Sequence, residues 1–172
     1  MPDTKPVGVA YSDPALTSGT TITGATIDST SRVLSNIATG VAVVQQGATI
    51  TTTGNSDVYV IAPAAGVLTS AQFSGVDALT ASDSNYITFS VTNLGLAGAG
   101  SAAMLAATDA NTTKATGGAA LAANTLRTLT LNGTAANLVV AAGDRLRIRA
   151  AATGTLANTV TFPVYRLNFS VS

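Results

Sequence analysis

Apolar and polar residues alternate through most of the second half of the chain. In Tyr165–Val171, Tyr165, Leu167, Phe169 and Val171 fall on one side, and Arg166, Asn168 and Ser170 on the other. In Tyr86–Thr92, Ile87, Phe89 and Val91 share a face opposite Tyr86, Thr88, Ser90 and Thr92. Asp144–Ala150 repeats the pattern, and Arg127–Leu131 sets Leu129 and Leu131 against Thr128 and Thr130. Val67–Phe73 reads with Val67, Thr69, Ala71 and Phe73 on one face, and Asp57–Ile61 is a further short run ended by Ala62-Pro63. A period of two with one apolar face marks a strand that covers a core on one side only. Turn residues separate these runs at Gly54-Asn55, Gly66, Ser74-Gly75, Asn93 to Gly95, Asn132-Gly133, Gly143-Asp144 and Gly154. Many short strands punctuated in this way predict an all-β, antiparallel sandwich or barrel.

Residues 1–50 carry a weaker pattern. Pro2, Pro6 and Pro14 fall within the first 16 residues. Proline lacks the N–H that a central strand needs, so this stretch reads as an extended arm. Thr20–Thr23, Val41–Gln45 and Ala48–Thr53 are short β-like pieces. The expected organisation is an N-terminal arm with short strands over 1–50, suited to docking, and a β-sandwich over 51–172. The Ala-rich stretch Leu96–Asn124 is the only helical candidate. Gly98, Gly100, Gly117 and Gly118 interrupt it, and each glycine costs a helix roughly 1 kcal/mol. It reads as a long connection holding a short strand or a single helical turn.

Composition supports a packed sheet protein and removes several functions. Hydrophobic residues make up 47% of the 172, enough for a core, while charged residues are 9% against roughly 25% in an average domain. No run approaches the roughly 18 consecutive apolar residues of a spanning helix, so no membrane partner is expected. Eight basic and eight acidic residues cancel. That balance gives no electrostatic reason to bind nucleic acid or an anionic surface. Every acid is Asp, which favours turns, and there are 28 threonines, which favour strands. The opening Met1-Pro2-Asp3-Thr4-Lys5-Pro6 lacks the apolar core of a signal peptide, so the chain is expected to be made in the cytoplasm without export.

Candidate chemistry is sparse. The chain has no His, Cys or Glu. This removes the commonest general base, the commonest transition-metal ligands and the thiolate nucleophile. Lys5 and Lys114 are the only lysines, one in the arm and one in a polar loop, neither placed to desolvate an amine. No phosphate-binding glycine motif is present. No enzyme activity, metal or cofactor is expected. Asp83-Ser84-Asn85 lacks the ligand alternation of a calcium loop and reads as side-chain-to-backbone turns leading into Tyr86. The N-x-S/T triplets at Asn111, Asn132 and Asn168 are expected by chance in so Thr-rich a chain. The irregular Thr patches Thr20–Thr23 and Thr49–Thr53 read as outward residues of half-buried strands. The eight aromatics read mostly as core.

One cluster stands out. Arg145, Arg147 and Arg149 alternate with Leu146 and Ile148. A strand places three such guanidiniums on one face, roughly 7 Å apart. The functional reading is a stripe that meets an anion, an acidic partner or a neighbouring subunit, because Arg is enriched at interfaces. The bland reading is a solvated face with Asp or polar residues across the ladder, contributing at most about 1 kcal/mol per pair. Candidate contact residues are these three arginines and, in the arm, Val7, Val9, Tyr11, Ile22 and Ile27.

From about Thr51 to Ser172 the chain resembles the phage head decoration (cement) proteins with a jelly-roll fold. The resemblance rests on Asp57-Val-Tyr-Val-Ile-Ala-Pro63-Ala-Ala-Gly66, Asp83-Ser-Asn-Tyr-Ile-Thr-Phe-Ser-Val-Thr-Asn93, Asn111-Thr-Thr-Lys-Ala-Thr-Gly-Gly118, and Asn137-Leu-Val-Val-Ala-Ala-Gly143-Asp144 with the strand that follows. It implies a structural virion protein on the outer surface of a phage head. It further implies a homotrimer on threefold or quasi-threefold positions, in contact with the major capsid protein. The alternative is a jelly-roll module of a fibre or tail that binds a carbohydrate or a receptor.

Overall fold

The computed structural model describes residues 40–171. Nine strands run through this part: β1 (Val41–Gln46), β2 (Asn55–Ile61), β3 (Gly66–Ser74), β4 (Tyr86–Asn93), β5 (Ala102–Ala103), β6 (Arg127–Leu129), β7 (Val139–Val140), β8 (Arg145–Thr153) and β9 (Val164–Val171). They form two antiparallel sheets. One has the order β1-β9-β3-β6, with short β7 also on β3; the other has the order β2-β8-β4-β5. Among these pairings a nested set is plain: β1 with β9, β2 with β8, β3 with β6, β4 with β5. The described chain is thus one long antiparallel ribbon folded back at β4–β5. Its successive rungs fall alternately into the two sheets, giving an all-β sandwich.

The alternation seen in the sequence explains the core. Leu68, Ala71, Phe73, Tyr165, Leu167 and Phe169 project inward from the first sheet, and Val58, Val60, Ile87, Phe89, Val91, Leu146, Ile148 and Ala150 from the second. Burying each large apolar side chain contributes roughly 1.5–3 kcal/mol. Phe73 links the sheets, its ring centroid 4.6 Å from that of Phe89 and 5.3 Å from that of Tyr165. The sandwich also takes in β1 and buried Ile50, both N-terminal to residue 51.

Four local expectations need correction. In β3, Leu68 is buried with Ala71 and Phe73, whereas Thr69 is exposed. The pairing with β9 jumps between Leu68 and Ser70, so Thr69 is an extra residue. Such a bulge slips the two-residue phase by one, which a strict alternation cannot register. The run Arg127–Leu131 is a strand only to Leu129; Leu131 makes an isolated bridge to Leu105. In Ala48–Thr53 only Ile50 bridges, to Val160. Tyr59 and Phe162 are exposed rather than core, since Val58 and Val60 take the inward phase of β2 and Phe162 sits in a turn with φ of 45°.

The stretch between β4 and β6 does hold a two-residue strand, β5, and one 3-10 turn, Asp109–Asn111. Glycine is required where it folds back: a Cβ on Gly118 would lie 2.6 Å from the Lys114 carbonyl oxygen. The turn before Tyr86 is also built differently from the expectation. Ser82 Oγ accepts from the N–H groups of Ser84 and Asn85. Asp83 and Asn85 instead reach distant loops, accepting from Thr116 and from the Thr155 N–H.

Candidate functional site

Alternation along β8 sends Leu146 and Ile148 into the core, so Arg145, Arg147 and Arg149 stand on the outer face of the β2-β8-β4-β5 sheet. Because β8 is an inner strand, the row runs down the middle of that face. The register with β2 sets Ile61, Tyr59 and Asp57 opposite the three arginines in turn. The register with β4 sets Thr92 opposite Arg147 and Ser90 opposite Arg149.

The three arginines are not equivalent. Arg149 grips Asp57 with a two-pronged contact: Nε and Nη2 donate to Oδ1 and Oδ2, each at 2.6 Å. These hydrogen bonds hold the Asp57 carboxyl below the usual carboxylate range, against burial, with the charges of Arg149 and Arg147 helping. Arg147 has a buried Nε with no partner among the described residues. The Arg145 guanidinium lies 6.0 Å from the centroid of the Tyr59 ring. Beside it Tyr59 and Ile61 are 53% and 58% exposed. One end of the row is therefore a satisfied ion pair, and the other is an open patch of Tyr59, Ile61, Arg145 and Arg147.

The structure brings together the three arginines, as the sequence places them. Val7, Val9, Tyr11, Ile22 and Ile27 lie outside the described residues. The sequence reading missed Tyr59 and Ile61 as neighbours of the row. The signal was present, since alternation in Asp57–Ile61 that puts Val58 and Val60 inside puts Tyr59 and Ile61 outside.

The same sheet carries a second feature towards its β5 edge. A groove of about 320 Å³ runs beside β4. Thr88, Ser90 and Thr92 line it, with Tyr86 at one end. Its other wall is the chain from Leu105 to Asp109. Lys114 Nζ closes the Tyr86 end, 2.8 Å from Asp109 Oδ1 and 4.9 Å from the Tyr86 ring centroid. The hydrogen bond to Asp109 holds the Lys114 ammonium above its usual range, partly offset by burial. Among the described residues no three His, Cys, Asp or Glu side chains group to hold a metal ion, and no helix is long and apolar enough to cross a membrane. The open patch is equipped to bury apolar and aromatic surface against a partner, and the groove to hold a small polar molecule. No protein-family model matches the chain, and neither a curated protein nor a solved structure does.

Proposed function

We propose that this protein is a structural component of a virion that decorates the outside of a phage capsid. It stands there as a homotrimer on threefold or quasi-threefold positions and grips the major capsid protein. The observation that carries this reading is the open patch of Tyr59, Ile61, Arg145 and Arg147 on the outer face of the β2-β8-β4-β5 sheet. Tyr and Arg are enriched among the residues that anchor protein interfaces, and Tyr59 and Arg145 both stand exposed on this face. The nested strand pairing adds support: an eight-strand antiparallel ribbon rolled into two sheets is the jelly-roll pattern. The resemblance of residues 51–172 to decoration proteins supplies the capsid.

Three copies related by a closed rotation give each protomer the same modest contact. A standard interface buries roughly 800 Å² per partner, and three linked contacts hold far longer than one. The N-terminal arm, residues 1–30, is the segment proposed to add a strand to an exposed sheet edge on the capsid or a neighbour.

The test is sedimentation of undecorated heads with the full-length chain. Saturable co-sedimentation is expected, with a native mass of three chains in solution. Tyr59→Ala and Arg147→Ala should each weaken binding roughly 30-fold, the scale of an interface anchor. A chain that stays a monomer and leaves the heads bare sinks the proposal.

A further inference from the structure

We infer that the groove beside β4 is a binding site for an uncharged carbohydrate. Its floor is a row of hydroxyls at alternate positions of one strand, Thr88, Ser90 and Thr92, spaced by roughly 7 Å per step. None of the three hydroxyls has a hydrogen-bond partner among the described residues. A row of groups that both donate and accept matches the hydroxyls of a sugar ring, which also do both. The wall is apolar where a sugar is apolar: Leu105, Ala106 and Ala107 face the space that the C–H face of a ring would fill.

The charges at the Tyr86 end point to the same class. Asp109 and Lys114 neutralise each other at 2.8 Å, and that contact leaves the second Asp109 carboxylate oxygen as an acceptor and further Lys114 N–H groups as donors. An acceptor and a donor side by side suit two neighbouring hydroxyls. Asp109 and Lys114 are the charged side chains that line the groove, and together they leave its lining without net charge. The volume, about 320 Å³, is at the small end of ligand sites and takes one or two sugar rings.

The site is also held in shape before any ligand arrives. Asp109 opens the 3-10 turn whose last residue, Asn111, is anchored by three side-chain hydrogen bonds. Thr112 Oγ1 donates to the Asp109 carbonyl. A pre-formed site spends little of its affinity on ordering itself. This inference does not depend on capsid docking, and it uses the opposite side of the sheet face from Tyr59 and Ile61.

The experiment is saturation-transfer NMR on the full-length chain with the methyl glycosides of glucose, galactose, mannose and N-acetylglucosamine, each at about 10 mM, together with glucose 6-sulfate and a short Ala-Gly peptide. At least one neutral glycoside should show transfer to its ring protons, with a Kd on the order of 1 mM. Thr88→Val with Thr92→Val is nearly isosteric on a strand, and Lys114→Met with Asp109→Leu removes the ion pair. Each double variant should keep the parent's thermal transition within a few degrees and lose binding at least tenfold. Transfer from none of the four neutral sugars overturns the inference. So does transfer that both folded variants retain, or a preference for the sulfated sugar or the peptide.

Discussion

The strand core and the chain between β5 and β6 are held in opposite ways. The core is apolar and has little directional preference: Phe73, Phe89 and Tyr165 meet by shape. The connection is fixed by buried polar side chains that stand in for missing backbone. Asn111 is 1% exposed, and its carboxamide donates to the carbonyls of Ala106 and Thr130 at 2.8 Å while accepting from the Thr130 N–H at 2.7 Å. Thr113 Oγ1 accepts from the Ile87 N–H, and Arg127 donates to the carbonyls of Ala110, Thr112 and Ala119. A core of the first kind tolerates changes of identity at constant volume. A connection of the second kind tolerates almost none, because a buried group left unpaired costs roughly 1–3 kcal/mol.

The sharpest contrast is therefore between deleting volume and deleting direction. Phe73→Ala should destabilise the protein by about 3–5 kcal/mol in denaturant unfolding, and Phe73→Leu by much less. Asn111→Ala should cost about 2–3 kcal/mol, and Asn111→Leu, which restores volume but no hydrogen bonds, should recover little of it. Hydrogen exchange separates the two sites. Loss of Asn111 should expose the Thr130 amide while β4 and β8 stay protected. If Asn111→Leu matches the parent, the connection is packed like the core and the contrast fails.

That contrast also decides what was legible in the sequence. β4, β8 and β9 were readable because their two-residue period is unbroken from end to end. β3 was readable as a strand but not in phase, since the bulge at Thr69 leaves composition unchanged while it swings Leu68 inward. The turn around Asn111 was not readable. A buried Asn that substitutes for a peptide group looks, in one dimension, like any polar loop residue. The arginine row was visible as Arg-x-Arg-x-Arg, but the inequality within it was not. Which arginine is paired depends on the β2–β8 register, which places Asp57 against Arg149 rather than Arg147. The groove needs residues 105–109 laid beside β4, a placement no local pattern encodes.

A milder version of the same contrast is Thr113→Val, which keeps shape and removes the acceptor of the Ile87 N–H. A loss of about 1–2 kcal/mol is expected. The outward-facing Thr88→Val should change stability by less than about 0.5 kcal/mol. Equal effects at the two positions would mean that the buried hydroxyl is not what holds the connection to β4.

The smallest effect concerns surface carboxylates, which tie loops and strands together with charge rather than with buried geometry. Asp57, Asp77 and Asp83 each have a folded-state value below the ordinary 3.8, through hydrogen bonds from Arg149, Thr161 and Thr116 respectively. A carboxyl whose value falls on folding stabilises the native state above its unfolded value, and that contribution disappears as pH falls through the folded value. Stability should therefore be flat from neutral pH down to about pH 4 and decline below it. Asp57→Asn should cost at most about 1 kcal/mol at pH 7, because the pair is partly exposed. The variant should converge on the parent as pH falls through the lowered folded value, where the parent's own carboxyl takes up its proton. Unfolding midpoints in urea from pH 2 to pH 7 measure both curves. Parallel curves would mean that the Asp57–Arg149 contact contributes nothing, which would leave Arg149 as free as Arg145 to meet a partner and erase the difference between the two ends of the row.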